Sequence, residues 1–383
     1  MKILYDYQVF QNQNFGGISK YFVELMRHLS PDVNYEIGLR YTNNIHILEM
    51  QGQEFKPLED FQPALLKNFS FKGKGSLIAS YSKLFPGKIW DCYKENILQS
   101  LTFLEKKDFD VFHPTYYNPY FIEHLKKPLV ITIHDLIYEL FPEFFPPSDK
   151  TAQQKKILIK KADHIITVSN NTKFDLIKYY GIDESKISVI YHGVRRSDSN
   201  SESDFNLRKR YLLYVGDRRG YKNFYFFIHS VSDILEKYEL NLVCAGNPFT
   251  PEEKSLIETL NISSRVQQYY VSENDLTVMY RRALAFVFPS LYEGFGMPIL
   301  EAFANGCPVV LANTACFTEI AGEAAMYFDP KSKQDICSQI EKISNDQKTR
   351  QSLILKGLER VKKFSWDETA SRTCEVYKSV TSN

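Results

Sequence analysis

The sequence predicts an α/β protein made of two doubly wound domains, each a parallel sheet with helices on both faces. Strand and helix patterns alternate along residues 2–191 and again along 211–312, which is typical of parallel sheets joined by crossover helices. A polar, serine-rich segment at 195–206 (RRSDSNSESDFN) separates the two series and has the composition of a linker. The length of 383 residues also favours two hydrophobic cores over one.

The first series begins with a strand at residues 2–6, followed by a predicted loop at 7–17 and an alternating strand at 33–41. Further strands are predicted at 109–113, 129–133, 164–168 and 187–191, with helices between the last three. The helix after the first loop is predicted from apolar residues at i, i+3, i+4, i+7, i+8 and i+11, namely Ile18, Tyr21, Phe22, Leu25, Met26 and Leu29. This opening lacks the G-x-G-x-x-G fingerprint, so no NAD site is predicted.

The second series is predicted to form a domain of its own over residues 209–365, after a first domain over 1–195 and a linker over 196–208. Its strands are expected at 211–215, 240–245, 266–271, 284–288 and 309–312, and its helices at 224–235, 251–260, 273–282 and, as two charged helices, 333–362. A last amphipathic helix begins near Trp366.

Composition places the chain among soluble globular proteins, with 44% hydrophobic and 24% charged residues. The net charge of +1 gives no global signal for nucleic acid. The six cysteines are scattered without C-x2-C pairs, which predicts neither zinc nor a disulfide framework and fits a reducing cytoplasm. Asp6 and Gln8 interrupt the apolar amino terminus, so no signal peptide is predicted, and no apolar run is long enough to span a membrane.

Residues 284–312 (LAFVFPSLYEGFGMPILEAFANGCPVVLA) carry the strongest candidate site. They read as a buried strand, a glycine-broken loop, a short helix starting near Pro298, and a second strand. Glu293 lies in the loop and Glu301 one turn into the helix, while Gly294 and Gly296 expose backbone at a helix amino terminus, where amides attract an anion. Two carboxylates for sugar hydroxyls beside a phosphate cradle predict a nucleotide-sugar site.

This stretch resembles the retaining glycosyltransferases of family 4. Glu293 and Glu301, with seven residues between them in EGFGMPILE, match the family's E-x7-E motif, and the surrounding FPSLYEGFGMPILEAFANGCPVV is similar almost position by position. A bare glutamate pair at this spacing would arise often by chance. The resemblance implies the GT-B fold, two Rossmann-like domains facing across a cleft, with a final helix (about 366–383) crossing back to the first domain. It is strong over 16–29 and 211–330 and weak over 43–105.

The resemblance also implies roles for individual residues. Glu293 would hold donor-hexose hydroxyls and Glu301 the ribose, with Gly294, Phe295 and Gly296 completing the donor-binding loop. The other implied residues are Gly16 and Gly17 in a glycine loop over the donor, His134 beside Asp135 at a strand end, and Gly216, Arg218 and Lys222 for the donor pyrophosphate. The family more often places its arginine directly after the glycine, so Arg219 is kept as a substitute for Arg218. Thr318 stands where the family usually has proline, which leaves the role of Glu319 open.

The implied reaction is hexosyl transfer from a nucleoside-diphosphate sugar to a glycan or lipid-linked acceptor hydroxyl, with retention of anomeric configuration. Neither a metal nor a cofactor is expected, because Arg218, Lys222 and helix amides would meet the charge of the leaving pyrophosphate. Cell-surface polysaccharide or lipopolysaccharide biosynthesis is the expected setting. The alternatives are a GT-B epimerase or phosphorylase, or a catalytically inactive glycan-binding protein on the same fold.

Residues 61–90 are basic and aromatic, with no acidic residue between Asp60 and Asp91. The lysines are Lys67, Lys72, Lys74, Lys83 and Lys88. Such a stretch can contact anionic lipid headgroups at the inner face of the plasma membrane or hold an acceptor pyrophosphate. It can equally be a solvated face over local packing. No nucleic-acid partner is expected.

Overall fold

A computed structural model of the protein describes residues 1–50, 55–56, 87–195, 207 and 210–382, with the backbone alone described over 87–91. In the first half, six parallel strands form two three-stranded sheets, ordered β2-β1-β3 and β4-β5-β6. A bridge between Phe112 and Leu129 joins the two sheets side by side. The strands are β1 (Lys2–Asp6), β2 (Asn34–Gly38), β3 (Val111–His113), β4 (Val130–Ile133), β5 (His164–Thr167) and β6 (Ile187–Val189).

The helices after the first loop and between the last three strands lie at the predicted places, and three further helices, at 8–12, 45–48 and 87–106, were not predicted. The helices of the first half are α1 (Gln8–Asn12), α2 (Gly17–Arg27), α3 (Ile45–Leu48), α4 (Gly87–Lys106), α5 (Ile137–Leu140), α6 (Thr151–Lys161) and α7 (Asn170–Tyr180). Helix α1 occupies the segment predicted as a loop, and that prediction was wrong. No capping side chain starts this helix, but Val9 and Phe10 are buried. Tertiary burial therefore stabilises a helix that local sequence signals do not predict.

The second half contains one parallel six-stranded sheet in the order β12-β11-β10-β7-β8-β9. Its strands are β7 (Tyr211–Val215), β8 (Asn241–Ala245), β9 (Val266–Tyr269), β10 (Ala285–Phe288), β11 (Val309–Ala312) and β12 (Ala325–Phe328). Its helices are α8 (Phe224–Lys237), α9 (Pro251–Thr259), α10 (Glu273–Arg282), α11 (Met297–Ala304), α12 (Ala315–Ala321), α13 (Lys333–Asn345) and α14 (Gln347–Arg360). The strand order reverses between β7 and β10, which creates the crevice where ligands bind in doubly wound sheets.

The last helix, α15 (Trp366–Thr381), packs on the first half of the chain. Trp366, Ala370 and Tyr377 are buried in the same apolar cluster as Tyr5 and Phe22. The hydroxyl of Tyr377 lies 3.0 Å from that of Tyr5. The predicted doubly wound α/β fold is confirmed, whereas the boundaries at 195 and 209 stay predictions because 196–206 and 208–209 lie outside the described residues.

The two halves meet at the carboxyl ends of their strands. Ser169, which caps α7, donates to the carbonyl of Gly294 at 2.7 Å. The Tyr292 hydroxyl donates to Asp175 at 2.8 Å. The loop carrying the glutamate motif is therefore held directly against the first half. Over the described residues, no helix is long and apolar enough to cross a bilayer.

Candidate active site between the two halves

The loop between β10 and α11 takes the shape that its glycines predict. Gly296 adopts φ +94° and caps α11, a conformation that favours glycine. A Cβ at position 294 would lie 1.7 Å from the carbonyl oxygen of His134, so only glycine fits there. The close approach at Gly294 therefore places the backbone directly after Glu293 in contact with the strand end that carries His134.

Lys222 and Glu293 form an ion pair in this site, with 2.6 Å between Nζ and Oε1. Their side chains are 18% and 15% exposed, so the pair is partly desolvated yet open to a ligand. The backbone links the same two loops, because the Leu291 amide donates to the Tyr221 carbonyl at 2.8 Å. The predicted phosphate-binding lysine and hexose-binding glutamate are therefore adjacent.

Glu301 projects from α11 and is held by groups from both halves. Its Oε1 lies 3.2 Å from the Nζ of Lys20, on α2, and the Tyr280 hydroxyl donates to its Oε2 at 3.3 Å. Lys20 also pairs with Glu273 at 3.0 Å. Desolvation would lower the pKa of Lys20, but the charges of Glu301 and Glu273 outweigh it and raise that pKa above its usual value.

His134 follows β4 and is buried against aromatic rings. Burial lowers its pKa from 6.5 to about 3, so its imidazole is neutral at physiological pH. Its ring lies 5.2 Å from that of Tyr21 and stacks at 6.0 Å on that of His192. Its Nε2 is buried without a hydrogen-bond partner among the described residues. A neutral nitrogen in this position can donate or accept one hydrogen bond from a ligand, but it cannot supply a cation.

The glycine pair at the start of α2 faces the same loop. A Cβ on Gly17 would sit 3.8 Å from the sulfur of Met297, at the start of α11. Gly16 is extended at φ 173°, and a Cβ there would clash with the Gln13 side chain at 2.4 Å. Phe295 is buried, with its ring 4.6 Å from that of His192. Gly16 and Gly17 thus approach the glutamate loop, whereas Phe295 anchors it.

The structure places Arg218 inside the loop after β7, and its role at the donor pyrophosphate stays a prediction. Its side chain is 3% exposed and pairs with Glu253 through Nε at 3.0 Å. Its Nη2 donates to the carbonyls of Asn247 and Pro248, and the guanidinium stacks 4.8 Å from the Phe249 ring. Arg218 therefore braces the loop after β7, and Lys222 is the cation that contacts Glu293. The substitute, Arg219, is exposed and pairs with Asp217.

Gly216 supports the same loop through its backbone. It adopts φ +111°, and a Cβ on neighbouring Gly246 would lie 2.8 Å from its carbonyl oxygen. The Gly216 amide donates to the Ala245 carbonyl at 2.9 Å. The missing Cβ of Gly246 allows the β7 and β8 loops to pack closely, and the positive φ of Gly216 shapes the turn that leads toward Lys222.

Two residues that join the halves, and one beside Lys222, were not predicted as site residues. Lys20 joins Glu301 across the cleft, and Asn223, in the left-handed region at φ +58°, donates to the carbonyls of Pro289 and Pro330. Glu319, left open by the sequence, accepts from the amides of Asn170 and Asn171 at 2.6 and 2.9 Å. The sequence did hold one signal for Lys20, because this residue lies four positions, about one helical turn, after Gly16. The contacts of the other two depend on the tertiary fold.

The described residues contain no cluster of three or more side chains suited to a metal ion. The chain has one D-x-D triplet, Asp108-Phe109-Asp110, of the kind that binds metals in other transferases. Asp108 pairs with the Lys2 side chain at 2.7 Å, and Asp110 accepts from the Lys2 amide at 2.8 Å. Asp108 and Asp110 lie just before β3 and beside the first residue of β1, at the edge of the sheet opposite the candidate site.

Two Rossmann-like domains with a lysine–glutamate site between their strand ends define a glycosyltransferase of the GT-B class. The family model "Glycosyl transferases group 1" matches residues 196–360, and that of "Glycosyltransferase Family 4" matches 79–198. The chain belongs to these family 4 glycosyltransferases, as its motif predicts.

Named relatives agree with this assignment. An O-antigen chain mannosyltransferase B from Escherichia coli is 27% identical over 94% of this chain and 96% of its own. The O-antigen chain mannosyltransferase RfbU of Salmonella typhimurium is 31% identical over 56% of this chain, and the match spans 60% of that relative's length.

Solved structures show the same fold. Sucrose-phosphate synthase from Thermosynechococcus elongatus aligns over 100% of this chain and 99% of its own, with a TM-score of 0.73 and 17% identity. Anabaena HepE in complex with UDP and glucose aligns over 99% of this chain and 100% of its own, with a TM-score of 0.72 and 16% identity. The GT-B fold predicted from the sequence is confirmed.

Proposed function

We propose that this chain is a retaining hexosyltransferase that uses a nucleoside-diphosphate sugar to extend a glycan or lipid-linked acceptor in cell-surface polysaccharide biosynthesis. The contact between Lys222 and Glu293 carries the proposal, because it joins a phosphate-binding cation to a hydroxyl-binding carboxylate at the mouth of the cleft. The mannosyltransferase names of the relatives make mannose the first sugar to test. The cytoplasm, where nucleotide sugars are available, is the proposed location.

The chemistry follows from the charges at the site. As the bond between the anomeric carbon and the β-phosphate oxygen breaks, negative charge grows on the leaving diphosphate, and Lys222 stabilises it. The acceptor oxygen forms the new bond on the same face of the sugar, and its proton passes to the departing phosphate. Glu293 and the neutral His134 bind hydroxyls of the transferred hexose, while Glu301 binds the ribose. The residues present supply the positive charge without a divalent cation.

Donor turnover tests the proposal. Purified protein is incubated with UDP-, GDP-, ADP- and TDP-sugars, with and without membrane lipid extract, and release of nucleoside diphosphate is measured. Release from one donor, at a rate that the acceptor extract raises, is the expected result, and NMR of the product should show the donor's anomeric configuration. EDTA should leave the rate largely unchanged.

The same assay separates the alternatives. An epimerase would interconvert sugars without net release of diphosphate to an acceptor. A pyridoxal-dependent phosphorylase would be yellow and would consume inorganic phosphate and glycan. An inactive glycan-binding protein would show no turnover of any donor, and that result would overturn the proposed function. Loss of activity with EDTA and recovery with magnesium or manganese would overturn its metal-independent chemistry.

A further inference from the structure

Lys20 is a cation from the first half that lies between two carboxylates of the second half. Its Nζ is 3.0 Å from Glu273 and 3.2 Å from Glu301. The residue sits one turn after Gly16 and Gly17, and its side chain is 21% exposed. These ion pairs link α2 of the first half to α10 and α11 of the second half.

The surroundings create an electrostatic difficulty for the donor. Arg218 is neutralised by Glu253, Arg219 by Asp217 and Lys222 by Glu293. Lys20, Glu273 and Glu301 form a group of one cation and two carboxylates, whose charges sum to about −1 if each is ionised. A nucleoside-diphosphate sugar brings a diphosphate of charge about −2 to the same cleft. Without Lys20, two uncompensated carboxylates would face that diphosphate.

We propose that Lys20 is a donor-positioning residue, which neutralises Glu301 so that this carboxylate can bind the ribose hydroxyls beside the diphosphate. This inference rests on the proposed function. The exposed Glu273 acts as the second anchor of Lys20, so the lysine stays in place when Glu301 turns to the ribose. Because Lys20 belongs to α2, its contact also draws the Gly16–Gly17 loop over the donor. Lys20 acts through Glu301 and through charge, and we assign it no part in bond making.

Calorimetric titration of nucleoside diphosphate and of the matching uncharged nucleoside tests this role. Lys20→Ala should weaken nucleoside-diphosphate binding about tenfold at low salt, the scale for losing one nearby charge in a partly exposed site. The loss should shrink at high salt, because screening weakens the repulsion. Nucleoside binding should change much less. In transfer assays KM for the donor should rise more than kcat falls, and Lys20→Arg should restore both.

A second substitution distinguishes charge compensation from simple bracing of the two halves. Adding Glu273→Gln to Lys20→Ala removes one carboxylate and should recover part of the nucleoside-diphosphate affinity. A bracing role would give no recovery, because Glu273 has already lost its contact with Lys20 in the single variant and its substitution restores none between the halves. Lys173→Ala is the matched control, since Lys173 is also 21% exposed and pairs with one carboxylate, that of Glu184.

The outcomes separate this inference from the proposed function. Equal losses for nucleoside and nucleoside diphosphate, or no recovery on adding Glu273→Gln, would overturn the role of Lys20 alone. Unchanged affinity in Lys20→Ala would do the same. Wild-type protein that binds none of the four nucleoside diphosphates would overturn both. Denaturant unfolding of each variant checks that the fold persists.

Discussion

Lys222 lies in an open part of the site, so its removal should affect catalysis far more than folding. Lys222→Ala should reduce transfer by about 2–4 kcal/mol of transition-state stabilisation, because it removes a preorganised cation from the leaving diphosphate. The lost ion pair with Glu293 is partly exposed and contributes about 1 kcal/mol or less to stability. Steady-state kinetics of transfer, with the donor that the turnover screen identifies, provide the measurement.

Lys237→Ala is the control for this substitution. Lys237 pairs with Glu341 on the surface of the second half, and its loss should leave both transfer and unfolding unchanged within error. Near-normal turnover in Lys222→Ala would remove this lysine from the catalytic site.

The two glutamates of the motif should show different defects. Glu301→Gln should weaken binding of free nucleoside diphosphate and of the nucleotide sugar, because both ligands carry the ribose. Glu293→Gln should leave nucleoside-diphosphate affinity nearly unchanged while transfer falls steeply, because its contacts are with the hexose. Hydrogen bonds to a charged group contribute about 1.5–3 kcal/mol each, so both effects should be measurable by calorimetry.

Glu341→Gln serves as the neutral comparison, since Glu341 is remote from the cleft residues described above. Equal loss of nucleoside-diphosphate affinity in the two motif variants would contradict the division between hexose and ribose.

At the scale of elements, three strands of the first half are followed or closed by buried histidines. His113 closes β3, His134 follows β4 and His192 follows β6. Burial lowers the pKa values of His113 and His134 to about 3, and that of His192 well below its usual value. An unfolded histidine binds a proton near pH 6.5, so between that pH and about 3 the unfolded state binds more protons than the native state.

The free energy of unfolding should therefore be fully retained above pH 6.5 and fall as the pH drops below it. Each buried histidine should contribute about 1 kcal/mol of loss between pH 7 and pH 5.5. Urea unfolding at both pH values measures this, and His192→Gln should remove about a third of the histidine contribution. Stability that stays constant over this range would contradict the argument.

Elements with strong local signals could be predicted from the sequence. Helix α7 lies between β5 and β6, where a helix was predicted, and begins after Ser169, a residue type favoured as a helix cap; Gly306 takes the left-handed conformation after α11. These signals depend on neighbours in sequence. Helix α1 and the burial of Arg218 could not be predicted, because both depend on residues distant in sequence, such as Thr115 against Val9 and Glu253 against the guanidinium.

The same difference between local signals and contacts distant in sequence applies to the candidate site. The motif placed Glu293, Gly294 and Glu301 on one loop and helix from spacing alone, and the structure brings the first two to Lys222 and His134. The contact of Lys20 with Glu301 joins residues 281 positions apart. No local pattern encodes such a distance, so the partner of Glu301 required the folded chain.

At the scale of the whole molecule, the basic segment at 61–90 lies outside the described residues, apart from the backbone from 87 onward, and its membrane contact stays a prediction. Changing Lys67, Lys72, Lys74 and Lys83 to Gln should weaken binding to vesicles rich in anionic lipid, because each lysine near such a surface contributes about 1 kcal/mol. Binding of the unaltered protein should fall with added salt. Co-sedimentation at low and high salt is the measurement.

A fourfold substitution on the second half provides the matched control. The lysines Lys237, Lys333, Lys356 and Lys362 are exposed and lie in surface ion pairs, and their change to Gln alters net charge equally. If both fourfold variants sediment like the unaltered protein, the 61–90 segment has no role at the membrane.

The position of α15 has a consequence for how the chain is made. During synthesis the ribosome releases the strands of the first half well before residues 366–381 exist, yet Trp366 and Tyr377 fill the core of that half. His113 lacks its hydroxyl partner from Tyr377, 2.6 Å away in the finished protein, until then. The core of the first half therefore stays incomplete, with apolar surface open to chaperones, until the second half has been translated. The first half therefore completes its core, and the enzyme becomes able to act, at the same late stage of translation.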